Sequence, residues 1–362
     1  MVKSVYIHIP FCKSKCHYCS FVSFCSVEKK QAYLISLQKE ISSYYENELL
    51  NTLYLGGGTP SLLTVSEVEN ILSVFSTDEN TEVTMELNPE DVNYDYLRGL
   101  FDIGVNRLSF GCQTFDDEIL KKINRRHNSN QVLKVVDAAK SAGFDNFSLD
   151  FIYGLPNQSI DSFVKDLERA VELGVSHISL YGLKLEEGSY FYKNPPQNLP
   201  DEDVQADMYL KAAETLEPLG FEQYEISNFS KNGLYSRHNL NYWNNEEYYG
   251  FGAAAHGYKN GIRYENTDNL DDYIENPCER KCSHVLTPQE KLEEEIFLGF
   301  RRTSGVNVTR INQKFGIDFE TKYKNILDKY TELNLIAKTD AGYRLTLQGV
   351  LVSNVVLADF LE

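Results

Sequence analysis

The sequence predicts an α/β fold: an open partial β/α barrel of about six units, then a small helical, winged-helix-like domain. Three observations carry this. Strand-like and helix-like segments alternate from the N-terminus to about residue 220. A cysteine loop, CKSKCHYC, follows directly on the first strand-like segment, and the C-terminal ends of the strands are where a β/α barrel builds its working face. From Thr287 onward the alternation gives way to helical patterns and one hairpin.

The strand segments are Val5–Pro10, Thr52–Gly56, Glu82–Leu87, Arg107–Cys112, Phe147–Tyr153 and His177–Leu183, each short and rich in apolar or β-branched residues. Between them lie helical patterns such as Glu28–Tyr45, Ser66–Phe75, Asn130–Ala142 and Ser159–Leu173. Ser66 before Glu67 reads as a helix start, and Gly143 as a helix stop. Alternation of this kind implies a parallel sheet with right-handed crossovers, and six units rather than eight imply an open barrel. A further helix is expected over Asp201–Leu219. Residues 221–264 are rich in Tyr, Asn and Gly without regular periodicity, a composition that is too aromatic for disorder. Helices are then expected at Pro288–Arg301, Thr309–Phe315 and Glu320–Tyr330, and a hairpin at Ile336–Thr339 and Tyr343–Thr346 around Asp340-Ala341-Gly342. A last helix is expected over Gln348–Phe360. The organisation expected is a barrel over 1–220, an aromatic-rich connecting region over 221–286, and a C-terminal domain over 287–362.

The bulk numbers bound the function. The chain has 362 residues, and 42% are hydrophobic, enough for a full core. No apolar run has the length of a membrane span, and the N-terminus lacks a basic stretch followed by an apolar one, so a cytoplasmic location is expected. Seven cysteines, three of them clustered, do not make a disulfide framework. The net charge of −18 argues against nucleic acid as a main partner, and against DNA binding by the C-terminal domain. It leaves room for peripheral membrane contact through a local patch.

Cys12, Cys16 and Cys19 are spaced C-x3-C-x2-C. Three thiolates on one loop can hold three irons of a 4Fe-4S cluster and leave the fourth iron open to a small molecule. The same thiols with His17 or His8 would also suit zinc, and three core thiols are a further reading. Gly56-Gly57-Gly58-Thr59-Pro60 follows the second strand, where consecutive glycines let the backbone approach a ligand. Glu86, Gln113, Arg125 and Asp150 fall at or just beyond the ends of later strands. Carboxylates there can take an ammonium or ribose hydroxyls, the Arg a carboxylate, and the amide a base edge or hydroxyl.

The cysteine spacing resembles the signature of the radical S-adenosylmethionine (SAM) enzymes, in which SAM chelates the open iron and is cleaved to a 5′-deoxyadenosyl radical. YIHIPFCKSKCHYCSF, GGGTPSLL, ELNPE, RLSFGCQTFDD, NRRH and LDFIYGLP follow in order, and with the C-terminal part they resemble the oxygen-independent coproporphyrinogen III oxidases and their HemW-type relatives. That resemblance implies a 4Fe-4S cluster on Cys12, Cys16 and Cys19. It also implies SAM sites lined by Tyr6, Gly57, Gly58, Thr59, Glu86, Gln113, Arg125 and Asp150. Two departures from the oxidase point to the HemW-type haem chaperone. Phe21 stands where the oxidase has a further cysteine, and the chain starts almost directly before Tyr6, without the oxidase's long N-terminal extension.

His238-Asn239-Leu240-Asn241-Tyr242-Trp243 matches HNxxYW, a pattern that the resemblance associates with haem. His238 is the expected axial ligand and Tyr242 with Trp243 a flat apolar surface for the porphyrin; His256 competes with it. Cys278 and Cys282 offer too few ligands for a metal site. The expected function is to bind haem and transfer it to haem-accepting proteins, with a small flavodoxin or ferredoxin as reductant. Radical decarboxylation of porphyrinogen propionates is the alternative.

Overall fold

The computed structural model describes residues 2–361. Six strands, β1 (Ser4–Ile9), β2 (Thr52–Gly57), β3 (Glu82–Leu87), β4 (Arg107–Gln113), β5 (Phe147–Tyr153) and β6 (His177–Gly182), pair in parallel in sequence order. The sheet is larger than the six expected strands. β7 (Glu222–Glu225) and β8 (Asn228–Ser230) extend it antiparallel beyond β6, and β9 (Tyr249–Phe251) adds parallel to β1. β1 and β6 do not pair, so the barrel is open. These three added strands lie in the stretch that shows no periodicity. They have only three or four residues each, too few to display a period.

The expected barrel helices match the sequence pattern with one shifted start, while the expected helix Glu320–Tyr330 is broken at Tyr323 into Phe319–Lys322 and Lys324–Glu332. Thr64, not Ser66, caps the helix Val65–Leu72, because its hydroxyl accepts the Glu67 N–H while the Glu67 carboxylate accepts the Thr64 N–H. Gly143 does end the helix Ser129–Ala142, in a left-handed conformation.

Strand alternation decides what the barrel encloses. One face presents Val5, Ile7, Leu53, Leu55, Val83, Met85, Leu108, Phe110, Leu149, Phe151, Ile178 and Leu180, all buried in one core beneath the helices. The other face presents Tyr6, Tyr54, Glu86, Arg107, Ser109, Ser148, Asp150 and His177. A closed barrel of this class fills its centre with branched apolar side chains. Here the centre is polar and hydrogen-bonded, so it is built to hold something other than a core. The helix Arg237–Trp243 plugs its N-terminal end: Asn241 accepts from Ser4, and Glu82 accepts the N–H groups of Arg237 and His238.

A three-stranded sheet follows: β10 (His256–Lys259), β11 (Ile262–Asn266) and β12 (Arg280–Val285). The C-terminal part has its own core of Leu292, Ile296, Phe300, Ile311, Phe319, Leu327, Tyr330 and Phe360 among others. The expected hairpin forms as β14 (Ile336–Lys338) and β15 (Gly342–Leu345), and β13 (Val306–Asn307) completes that sheet. The last expected helix is broken at Val352 into Leu347–Leu351 and Ser353–Ala358. Among the described residues, no helix is long and apolar enough to cross a membrane.

Candidate functional site

The cysteine loop leaves the C-terminal end of β1 and is pinned to the barrel by its backbone. Cys12 N–H donates to Phe24 O, Phe24 N–H to Pro10 O, and His17 N–H to Ile123 O. His8 is buried beneath it, with one ring nitrogen on Tyr6 Oη and the other on Val22 O. Both His8 nitrogens are therefore committed, which removes it as a zinc ligand.

Two of the three sulfurs have donors aimed at them. Thr59 Oγ1 donates to Cys12 Sγ at 3.3 Å, and Arg125 Nη1 to Cys16 Sγ at 3.6 Å. The same guanidinium donates to Asn88 Oδ1 at 2.9 Å and Gly111 O at 2.7 Å, while Asn88 Nδ2 donates to Thr59 Oγ1. One cation thus ties the cysteine loop to the ends of β3 and β4. A fixed positive charge and hydroxyl donors suit sulfurs that carry negative charge. Burial pushes the Cys19 thiol up to about 11, so loading iron must displace its proton. The chemistry of three loop thiols, with a cation already beside them, fits a 4Fe-4S cluster held by Cys12, Cys16 and Cys19. Asn88 at the centre of this network was not singled out in the sequence, although it lies in ELNPE; nothing in its local pattern marks which arginine it will meet.

The glycine run packs as tightly as its composition suggests. Gly57 has φ +107°, and a Cβ there would overlap the His8 ring; a Cβ on Gly58 would lie 2.8 Å from the carbonyls of Ile9 and Phe11. Gly57 N–H donates to Glu86 Oε2 at 3.1 Å and Tyr54 Oη to Glu86 Oε1 at 2.8 Å. Burial, reinforced by the Asp150 charge and opposed by the Tyr54 hydrogen bond, raises the Glu86 carboxyl to about 7. Asp150 accepts from Ser109 and Ser148. Gln113 is buried at φ +67°, where β4 slips register against β5. A β-bulge of this kind re-aims a side chain beside a site. Tyr6, Gly57, Glu86 and Asp150 thus meet in one lumen, while Gly58 packs against the start of the cysteine loop, Thr59 and Arg125 reach its sulfurs, and Gln113 lies with Arg125 beside Gly111. Tyr181, also in the lumen beside Asp150 and Glu86, is still 46% exposed, so the lumen is open to solvent there.

His238 lies elsewhere. It is 1% exposed at the opposite, N-terminal end of the lumen. Nδ1 is 2.8 Å from Thr52 Oγ1 and Nε2 is 2.8 Å from Tyr242 Oη. Neither nitrogen offers a lone pair to an iron in this arrangement, and burial lowers its pKa to about 3. The rings expected as a porphyrin surface are also engaged: Tyr242 packs edge to face with His238 and Tyr248, and Arg301 lies over Trp243 at 5.2 Å. His256 is exposed at the start of β10. Cys278 and Cys282 are both exposed, and neither belongs to a group of three His, Cys, Asp or Glu that could hold a single metal ion among the described residues.

Comparison with known proteins gives the family and the fold. Residues 6–170 match the Radical SAM superfamily model and residues 286–352 the HemN C-terminal domain model. The chain is 37% identical to the Heme chaperone HemW of Bacillus subtilis (strain 168) over 99% of either chain. It is 40% identical to that of Lactococcus lactis subsp. lactis (strain IL1403) over 94% of either. The solved structure of coproporphyrinogen III oxidase (HemN) from Escherichia coli, a radical SAM enzyme, superposes with a TM-score of 0.87 at 21% identity, covering 99% of this chain and 90% of that one, a likeness of fold. The chain belongs to the HemW family of radical SAM proteins.

Proposed function

We propose that this protein is a haem chaperone that binds haem and passes it to haem-accepting proteins. In this reading it carries a 4Fe-4S cluster on Cys12, Cys16 and Cys19, with SAM against Tyr6, Gly57, Gly58, Thr59, Glu86, Gln113, Arg125 and Asp150. One observation carries it: a three-thiol loop stands at the open, polar end of the barrel in a chain alignable over 99% of its length with a protein named Heme chaperone HemW.

The bound cluster would supply an electron to SAM, delivered by a small flavodoxin or ferredoxin. The protein's own groups do the positioning. Ionised Glu86 takes an ammonium or ribose hydroxyls, Asp150 sits across the lumen as a second acceptor, and Arg125 holds its charge beside the sulfurs. Glycine backbone closes the floor where a Cβ would displace the loop.

The test is anaerobic. The reconstituted protein is given haem or coproporphyrinogen III separately, with SAM and reductant, and the Soret band and decarboxylated porphyrin are both recorded. Stoichiometric haem binding, its transfer to an apo-haem protein and no decarboxylation are expected. Turnover of coproporphyrinogen III would make the protein an oxidase instead.

A further inference from the structure

We infer that Asp91 is a positioning residue for the cluster: by pairing with Lys13 and Arg126 it latches the outer half of the cysteine loop to the turn after β3, and so fixes where the sulfurs stand. This rests on the proposed 4Fe-4S cluster and deepens it by naming what holds the loop in register.

The outer half of the loop lacks backbone anchors. Cys12 N–H and His17 N–H each meet a carbonyl, at Phe24 and Ile123, but no backbone N–H from Lys13 to Cys16 meets an acceptor among the described residues. Side chains must hold this stretch. Besides Arg125 on the Cys16 sulfur, two contacts do so. Asn124 Nδ2 donates to Lys15 O at 2.8 Å, and Lys13 Nζ donates to Asp91 Oδ1 at 2.6 Å.

The Lys13–Asp91 pair differs from an ordinary surface ion pair. Such pairs contribute little when both partners are solvated. Lys13 is half exposed, but the Asp91 side chain is only 2% exposed. Among the described residues Oδ1 has Lys13 as its one hydrogen-bonded partner, with Arg126 Nη1 at 3.6 Å, and Oδ2 has none. A carboxylate withdrawn this far from water is tolerated only while its cations stay in place. Asp91 therefore favours the loop conformation that keeps Lys13 on it.

The turn that carries Asp91 also serves both ends of the stretch. Pro89–Asp91 form a single 3-10 turn, closed by Asp91 N–H on Asn88 O at 3.1 Å. Asn88 accepts from Arg125, which donates to Cys16; it also donates to Thr59, which donates to Cys12. Glu90 lies 3.9 Å from Arg126. One turn thus reaches Cys16 through Arg125, Cys12 through Thr59, and the residues between them through Lys13. Ligands keep a metal site in one geometry when partners behind them fix their positions.

The experiment reconstitutes the full-length wild type, Lys13→Ala, Lys13→Arg, Asp91→Ala and the double variant Lys13→Ala/Asp91→Ala with iron and sulfide under anaerobic conditions. It measures iron and sulfide per chain, the EPR spectrum of the dithionite-reduced cluster with and without SAM, and thermal unfolding of each apo-protein. Lys13→Ala frees the loop and leaves Asp91 unpaired, so loading should fall about threefold or more, and about twofold in Asp91→Ala. The double variant should load no worse than Lys13→Ala, because its second substitution removes a contact already lost. Lys13→Arg keeps the pair and should load like wild type. Clusters that do form in Lys13→Ala should show a changed EPR spectrum, a readout that a loss of fold stability alone would not move. Three results would overturn the latch while leaving the cluster reading intact: wild-type loading and spectrum in Lys13→Ala, losses that multiply in the double variant, or a loss matched by a lower apo-protein Tm with the spectrum unchanged. A wild type that takes up no iron and sulfide would overturn both.

Discussion

The His238 imidazole stacks on the Tyr54 ring at 5.0 Å and 26°, and Tyr54 in turn donates to the Glu86 carboxylate. A residue at the closed end of the lumen is thereby joined to the open end through one side chain. His238→Ala would remove this stack, leave the Thr52 and Tyr242 hydroxyls without a partner and open a cavity. A loss of about 2–4 kcal/mol is expected. Urea unfolding measures it, and a change below about 0.5 kcal/mol would show that the stack and its two hydrogen bonds do not support the fold. SAM affinity should fall several-fold as well, because Tyr54 loses the ring that orients it.

Glu86 makes SAM binding pH-dependent. Its carboxyl is raised to about 7, and only the ionised form attracts an ammonium or accepts two hydroxyls. Affinity for SAM should therefore rise as pH passes from 6 to 8, by up to about tenfold. Glu86→Gln should bind weakly at every pH with a flat profile. Calorimetry across that range separates the two, and an equally steep profile in the variant would place the titrating group elsewhere.

Glu225 should make the fold less stable in base. It is fully buried, accepts from Ser227 N–H and Asn228, and burial raises its carboxyl to about 7. The unfolded chain ionises near the ordinary value of 4.5 while the folded protein still holds its proton. Stability is thus lost between those two values as pH rises, by an amount on the order of 3 kcal/mol for this group. Glu225→Gln should flatten the fall in Tm between pH 5 and 8. An unchanged slope would count against a protonated Glu225.

Gly57→Ala should abolish the cluster site. The φ of +107° strains any L-residue, and the added methyl would strike the His8 ring that supports the cysteine loop. Iron and sulfide per chain after reconstitution should fall to less than half of wild type. Gly104→Ala is the control: its φ of +96° is similarly strained but nothing lies within 4 Å. If Gly104→Ala loses iron to the same extent as Gly57→Ala, strain alone and not the His8 contact sets the effect; wild-type loading in Gly57→Ala would show that neither matters.

The sequence by itself determined the six parallel strands, the three-thiol loop, the glycine run and the ring of polar residues around one lumen. These are local properties: alternation states which side chains share a face, and a strand end states which rim they reach. It also marked His238, whose motif lies in one unbroken segment. Only the tertiary structure decided what that histidine does. Thr52 is 186 residues away and Glu82 is 156, and no local pattern encodes which hydroxyl or carboxylate will close on an imidazole. The same applies to Asn88 with Arg125, to the short strands β7–β9, and to Lys13. Its place in CKSKC was legible, but its partner Asp91 lies 78 residues on. Periodicity follows from backbone geometry, whereas hydrogen-bond partners across a barrel follow from how its strands and plug pack together.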